Sequence, residues 1–258
     1  VSSRTRVAVF VVAIAVVGGV LAWTCGALTP FGQFQGAYGA LLNHVSVREH
    51  HITDVVTAVN FDYRGFDTLG EEFIFLAAVL GVALILRAQP GERAGHVADF
   101  ATGRAVPPTS DAVRVLGLGL TPLIVLFGLY VVAHGHLTPG GGFQGGVVLA
   151  TGVLLIYLAG EFDDMHGLYT EVVLERSEAV GGAAFIVVGF VGMFAGGAFL
   201  ENVLPTGRIG SVFSAGTIPI INASVGLEIA AGLVLILSTF LHQTIVLRRS
   251  QQQAESKP

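Results

Sequence analysis

Between two apolar runs of membrane-spanning length lies the segment His134-Gly135-His136-Leu137-Thr138-Pro139-Gly140-Gly141-Gly142-Phe143-Gln144-Gly145-Gly146. Glycine and proline both penalise a helix interior, so the backbone must break here, at or near a bilayer surface. Broken backbone at that depth needs protein or water to satisfy it, because hydrocarbon offers no hydrogen bonds. Composition agrees with that address: of 258 residues 53% are apolar and 12% charged, and the mean hydropathy is +0.74. Soluble domains carry about a quarter charged residues, so the chain reads as an integral membrane protein. The single Cys25 excludes an intrachain disulfide and reads as a small buried hydrophobe. A net charge of −5 without any basic cluster argues against nucleic acid as a partner.

A helix needs roughly 20 residues to cross about 30 Å of hydrocarbon. Five stretches qualify: Val7 to Leu28, Val115 to Ala133, Phe143 to Gly160, Ala179 to Leu200, and a last one ending at Leu247, which alone holds a charge, Glu228. The first is too long for the apolar part of a signal peptide and is read as an anchor. A sixth stretch, Phe73 to Leu86, is too short unless its helix starts roughly six residues earlier, which draws Glu71 and Glu72 into the outer bilayer. The expectation is an all-α, polytopic membrane protein with six transmembrane helices. With the N-terminus inside, ten of the 13 Lys and Arg residues fall on the inner side and only Arg48, Arg64 and Arg208 outside, which predicts both termini in the cytoplasm. The stretch 88–111 reads as a cytoplasmic linker between a two-helix unit (1–87) and a four-helix unit (112–249), followed by a disordered polar tail (250–258). Thr29 to Gly36 matches Thr138 to Gly145 at six of eight positions, an echo attributed to convergence on a helix-ending turn.

Nothing in the sequence reads as an enzyme: it has no phosphate-cradling loop with a lysine, no paired cysteines, no nucleophile elbow and no zinc-spaced histidines on a helix. No cofactor or metal is called for, although His44, His50, His51 and Asp54 fall in one segment. What remains is a set of ionisable groups at membrane depth. A charged side chain at the bilayer centre costs about 2.5 to 3.5 kcal/mol, so such groups face a bundle interior or a wet cavity and mark ion routes. Glu228, 20 residues before Arg248, is placed near the outer boundary of the hydrocarbon, either as an interfacial carboxylate or as a lining group. Glu71 is placed somewhat deeper, as a proton acceptor or as part of a capping box with Asp67 or Thr68, and Glu72 is read as facing solvent or headgroups. His134 and His136 close the third span; imidazole exchanges protons near neutrality.

The stretch from His134 to Gly146, together with Leu204-Pro205-Thr206-Gly207 and Phe213 to Ile220, resembles the B subunit (MnhB/MrpB) of the Mrp-type (multiple resistance and pH) sodium/proton antiporters. The stretch from Val55 to Glu71 is similar to the C-terminal part of the large A subunit of those antiporters, found separately as a small subunit in membrane-bound hydrogenases. The resemblance implies a multi-pass cell-membrane subunit of a cation/proton antiporter, with Na⁺ and H⁺ as transported ions and the A, C, D, E, F and G subunits and membrane lipid as partners. Glu71 matches the acidic position of the family's motif and is expected to be the proton or cation carrier, with Asp67, His134, His136 and Glu228, the last where the resemblance is looser, as secondary candidates. The rivals are a purely structural subunit and the equivalent subunit of a hydrogenase-like, redox-driven pump related to complex I.

Overall fold

The computed structural model describes residues 3–28, 32, 33, 36–86, 109–160, 165 and 167–255; the expected linker falls almost wholly outside them, as does much of the Thr29 to Gly36 echo. The described residues form helices, turns and connections, with no strand among them. In chain order the helices are α1 (Ser3–Gly26), α2 (Ala37–His50), α3 (Val55–Ala58, continued by a π-helical turn, Val59–Tyr63), α4 (Gly65–Ile85), α5 (Asp111–Ala133), α6 (Gly142–Ala159), α7 (Glu171–Ala195) and α8 (Ile218–Glu255). Six stretches are long and apolar enough to cross a membrane: Val7–Gly26, Gly65–Ile85, Asp111–Ala133, Gly142–Ala159, Glu171–Ala195 and Ile218–Leu241. The six expected spans are thus present.

Several boundaries differ from expectation, three of them with consequences for the site. α7 starts at Glu171 instead of Ala179, because the Thr170 hydroxyl accepts the Val173 N–H at 3.3 Å and caps it. α4 starts at Gly65 after an uncapped Arg64, so Asp67 and Thr68 lie inside the helix and the proposed capping box with Glu71 does not form. Thr68 instead donates its hydroxyl to Asn60 O at 2.6 Å, tying α4 to the π-helical turn. α8 continues through Ser250 to Glu255, into residues expected to be disordered.

The compact units also divide the chain differently, into residues 1–41 and 42–258. In the first unit the described side chains of α1 are exposed, Cys25 included, contrary to its reading as buried. In the second unit α8 is central: α4, α6 and α7 all pack against it, and α5 packs chiefly on α6. α4 joins the same core because Gly65, Thr68, Leu69, Glu72 and Val79 form a stripe at helical spacing, buried against its neighbours. Ile218, Ile221, Val225 and Ile229 of α8 meet Phe185 of α7 and Ile52, Ala58 and Phe61 of the preceding segment.

At one end of this bundle, called here the loop end, α5 closes and α6 opens. Gly140 (φ +157°) and Gly141 (φ +131°) turn the chain between them through backbone angles that L side chains rarely adopt. Asn222 Oδ1 accepts the Gly142 N–H at 2.8 Å, and Thr57 donates its hydroxyl to Gly135 O at 2.6 Å. The break foreseen in the glycine-rich segment is therefore held by side chains of α8 and α3.

Candidate functional site

Three carboxyls meet where α4, α7 and α8 come together. Glu72 of α4 is 3% exposed, Glu178 of α7 2% and Glu228 of α8 1%. The Glu72 and Glu228 side chains lie beside one another, and Glu178 lies close enough for its charge to act on Glu228. Apart from that mutual contact, an oxygen of each of the three finds no partner among the described residues.

Glycines make the room. A Cβ on Gly181 would lie 2.7 Å from Glu228 N and from Ser224 O, and one on Gly182 would lie 3.1 Å from Glu228 Oε2. Close approach through small residues lets membrane helices pack, and here it brings a polar side chain against bare backbone. Glu72 stands seven residues into α4 and Glu228 ten residues into α8, and the two side chains face one another at one level of the bundle. Glu178 stands one turn further in: it lies four residues before Gly182, which faces Glu228, and its Oε1 is 3.1 Å from where a Cβ on Gly232, four residues after Glu228, would stand. The carboxyls thus occupy two adjacent levels of the bundle, Glu72 with Glu228 and Glu178 one turn beyond, and Glu228 sits near the middle of its span, not at the boundary where counting from Arg248 put it.

Of the residues expected to matter, Glu228 alone joins this set. Glu71 lies one step round α4 from Glu72 and is exposed on the chain, while Glu72, read as facing solvent or headgroups, is buried: the assignment of faces was reversed. Asp67 is exposed and ion-paired with Arg64 in the first turn of α4. His134 stacks on Tyr130 with centroids 4.2 Å apart. His136 is fully buried at the loop end, and its Nε2–H donates to Ser211 O at 3.3 Å, since a carbonyl can only accept. Glu178 was missed because the span was started one residue after it. Among the described residues no three His, Cys, Asp or Glu side chains are gathered for a metal ion, so the histidines near Asp54 form no such site.

Two histidines at the loop end titrate in opposite senses. His50 Nδ1 lies 2.8 Å from Asp62, and that hydrogen bond holds its pKa above the ordinary value despite partial burial. Burial pulls His136 below its ordinary value, with the Ser211 carbonyl opposing. The stability from His50 is therefore full below its unfolded pKa of about 6.5 and lost as pH rises through the folded value. That from His136 is full above about 6.5 and lost as pH falls toward its lowered folded value. Thermal unfolding of the purified chain across this range is expected to show His50→Gln removing the alkaline loss and His136→Gln the acid one.

The fold and the buried carboxyls define a helical, multi-pass membrane protein with ionisable groups at a helix junction. The model of a family described as a domain related to the MnhB subunit of Na⁺/H⁺ antiporters matches residues 112–235. An uncharacterised protein of Methanocaldococcus jannaschii is 32% identical over 209 residues, 74% of this chain and 78% of that protein. A chain of the membrane-bound sulfane sulfur reductase, an archaeal respiratory membrane complex, superposes with a TM-score of 0.70 at 32% identity, covering 92% of this chain and 98% of that one. A chain of the Mrp complex from Dietzia sp. DQ12-45-1b superposes with a TM-score of 0.72 at 25% identity, covering 93% of this chain and 26% of that one. The chain belongs to the MnhB-related family of membrane subunits.

Proposed function

We propose that this chain is a membrane subunit of a multi-subunit, Mrp-type cation/proton antiporter, working beside other subunits of that complex, and that Glu72, Glu228 and Glu178 pass a proton or compete for it with Na⁺. The observation that carries the reading is the carboxyl cluster: three nearly unexposed acids on two adjacent levels, with oxygens left without partners. Buried groups so placed are costly in a bilayer and mark ion pathways. With the loop end outward, Glu72 and Glu228 are the outer members and Glu178 the inner one. Glu71 and Asp67, exposed on the chain, would serve a route only where a neighbouring subunit covers that face of α4. His134 and His136 would lie at its outer mouth. The chain itself catalyses no covalent step in this scheme.

The experiment is Glu178→Gln in the assembled complex, reconstituted in vesicles and read by cation-dependent dissipation of a pH gradient. Exchange is expected to be lost with assembly intact, while Glu71→Gln is expected to retain it. Parental exchange in Glu178→Gln would return the chain to a purely structural role.

A second reading is favoured by the near end-to-end likeness to a chain of a respiratory complex, where the same carboxyls would serve a redox-driven pump. Purification of the intact complex decides: stoichiometric iron and ion movement driven by an electron donor support the pump, and gradient-driven exchange without iron supports the antiporter.

A further inference from the structure

The α4–α7–α8 junction is layered. The layer nearer the loop end holds Glu72, Glu228 and the bare backbone of Gly181 and Gly182. One turn further along each helix come Phe75 (three residues after Glu72), Gly232 (four after Glu228) and Glu178 (four before Gly182). A Cβ placed on Gly232 would lie 2.6 Å from the Phe75 ring and 3.1 Å from Glu178 Oε1, so ring and carboxyl converge on one point of α8. The ring also stands edge-on to Phe143, with centroids 6.5 Å apart. Phe75 thus shares the layer of Glu178, one turn beyond the paired carboxyls, with its ring seated on Gly232 beside that carboxyl.

We propose that Phe75 is a positioning residue that keeps the two carboxyl levels apart, and that its ring must leave its seat on Gly232 before a proton passes between Glu228 and Glu178. This rests on the relay proposed above. Transfer between two carboxyls needs direct contact or one bridging water. An aromatic ring in an apolar constriction withholds that water by dewetting. In the transfer itself the O–H bond of Glu228 breaks and that of Glu178 forms, with no other atom exchanged. The missing side chain at position 232 gives the ring its seat: a methyl there would press on ring and carboxyl together. An exchanger depends on such a separation, because two carboxyl levels in permanent contact would conduct protons with no cation moving in return.

The test is passive proton leak through the reconstituted complex with no exchangeable cation on either side. Phe75→Ala is expected to raise the leak roughly tenfold or more, since each 1.36 kcal/mol removed from a barrier is a factor of ten. Phe75→Leu, which keeps bulk at the step and stands in if the alanine variant does not assemble, is expected to raise it by less but above the parent. Adding Glu178→Gln to either is expected to return the leak to the parental level, because the path runs through Glu178. Parental leak in the Phe75 variants, or a leak that survives Glu178→Gln, overturns the proposal. Glu178→Gln alone reads the relay separately: if it abolishes exchange while the Phe75 variants hold protons tightly, the relay stands and the separating role of Phe75 falls. If Glu178→Gln exchanges at the parental rate, the relay falls and this proposal with it.

Discussion

Glu228→Gln is expected to slow cation-dependent proton exchange about a hundredfold, the low end of what a positioned acid–base group contributes, while the complex assembles as before. Glutamine keeps the shape of the side chain that Gly181 and Gly182 accommodate, with Glu228 Oε2 3.1 Å from where a Cβ on Gly182 would stand. Its amide N–H can donate to the neighbouring Glu72, so the two side chains stay compatible after the change. What disappears is the ability to hold and release a proton at this depth. An ionised side chain near the middle of a span costs about 2.5 to 3.5 kcal/mol, so the glutamine chain should unfold in detergent no earlier than the parent. That split, stability kept and exchange lost, separates a carrier from a scaffold. Vesicle exchange assays paired with size-exclusion profiles check it, and an assembled Glu228→Gln complex with parental exchange would remove Glu228 from the route.

The spans were legible because they rest on long apolar runs, and the broken segment after His134 because glycine and proline announce it. The identity of the buried acids was less so. In the apolar run after Phe73 almost every position is hydrophobic, so the run carries little information about which face turns inward, and Glu71 and Glu72 differ by only 100°. The signal lay upstream: Gly65, Thr68, Leu69 and Glu72 recur at helical spacing, and their stripe points Glu72 inward and Glu71 away. Glu178 was hidden by starting the span at the first uninterrupted apolar residue; Thr170 followed by an acidic first turn was a start signal one turn beyond the charges that masked it. His136 was named for its chemistry, but its burial depends on Ser211, 75 residues away, and no local pattern reports that. The position of Glu228 was misjudged because α8 runs far past its apolar part, so Arg248 was a poor ruler for depth.

Gly142→Ala is expected to have the largest effect on folding of any single methyl added to the chain's helices. Its Cβ would stand 2.4 Å from Asn222 O, 2.7 Å from Val225 Cβ and 2.9 Å from Gly226 N, and two of those atoms belong to the backbone of α8, which cannot rotate aside. Relief requires α6 and α8 to part at the loop end, and parting them breaks the 2.8 Å hydrogen bond from Gly142 N to Asn222 Oδ1. Overpacking of this kind costs about 1 to 3 kcal/mol, and the buried Asn222 carboxamide left without its partner adds about 1 to 3 kcal/mol more. The total rivals the whole net stability of a marginal domain, so the purified Gly142→Ala chain should unfold at a markedly lower denaturant concentration, or fail to accumulate. Gly119→Ala in α5 supplies the contrast: nothing lies within 4 Å of its Cβ, and alanine gains about 0.5 to 1 kcal/mol over glycine in a helix. Denaturant midpoints of the two variants in the same detergent should therefore move in opposite directions from the parent. If Gly142→Ala unfolds at the parental midpoint, α6 and α8 do not approach as closely as the glycine contact requires, and the seat that Asn222 provides for the broken backbone is not what holds the loop end together.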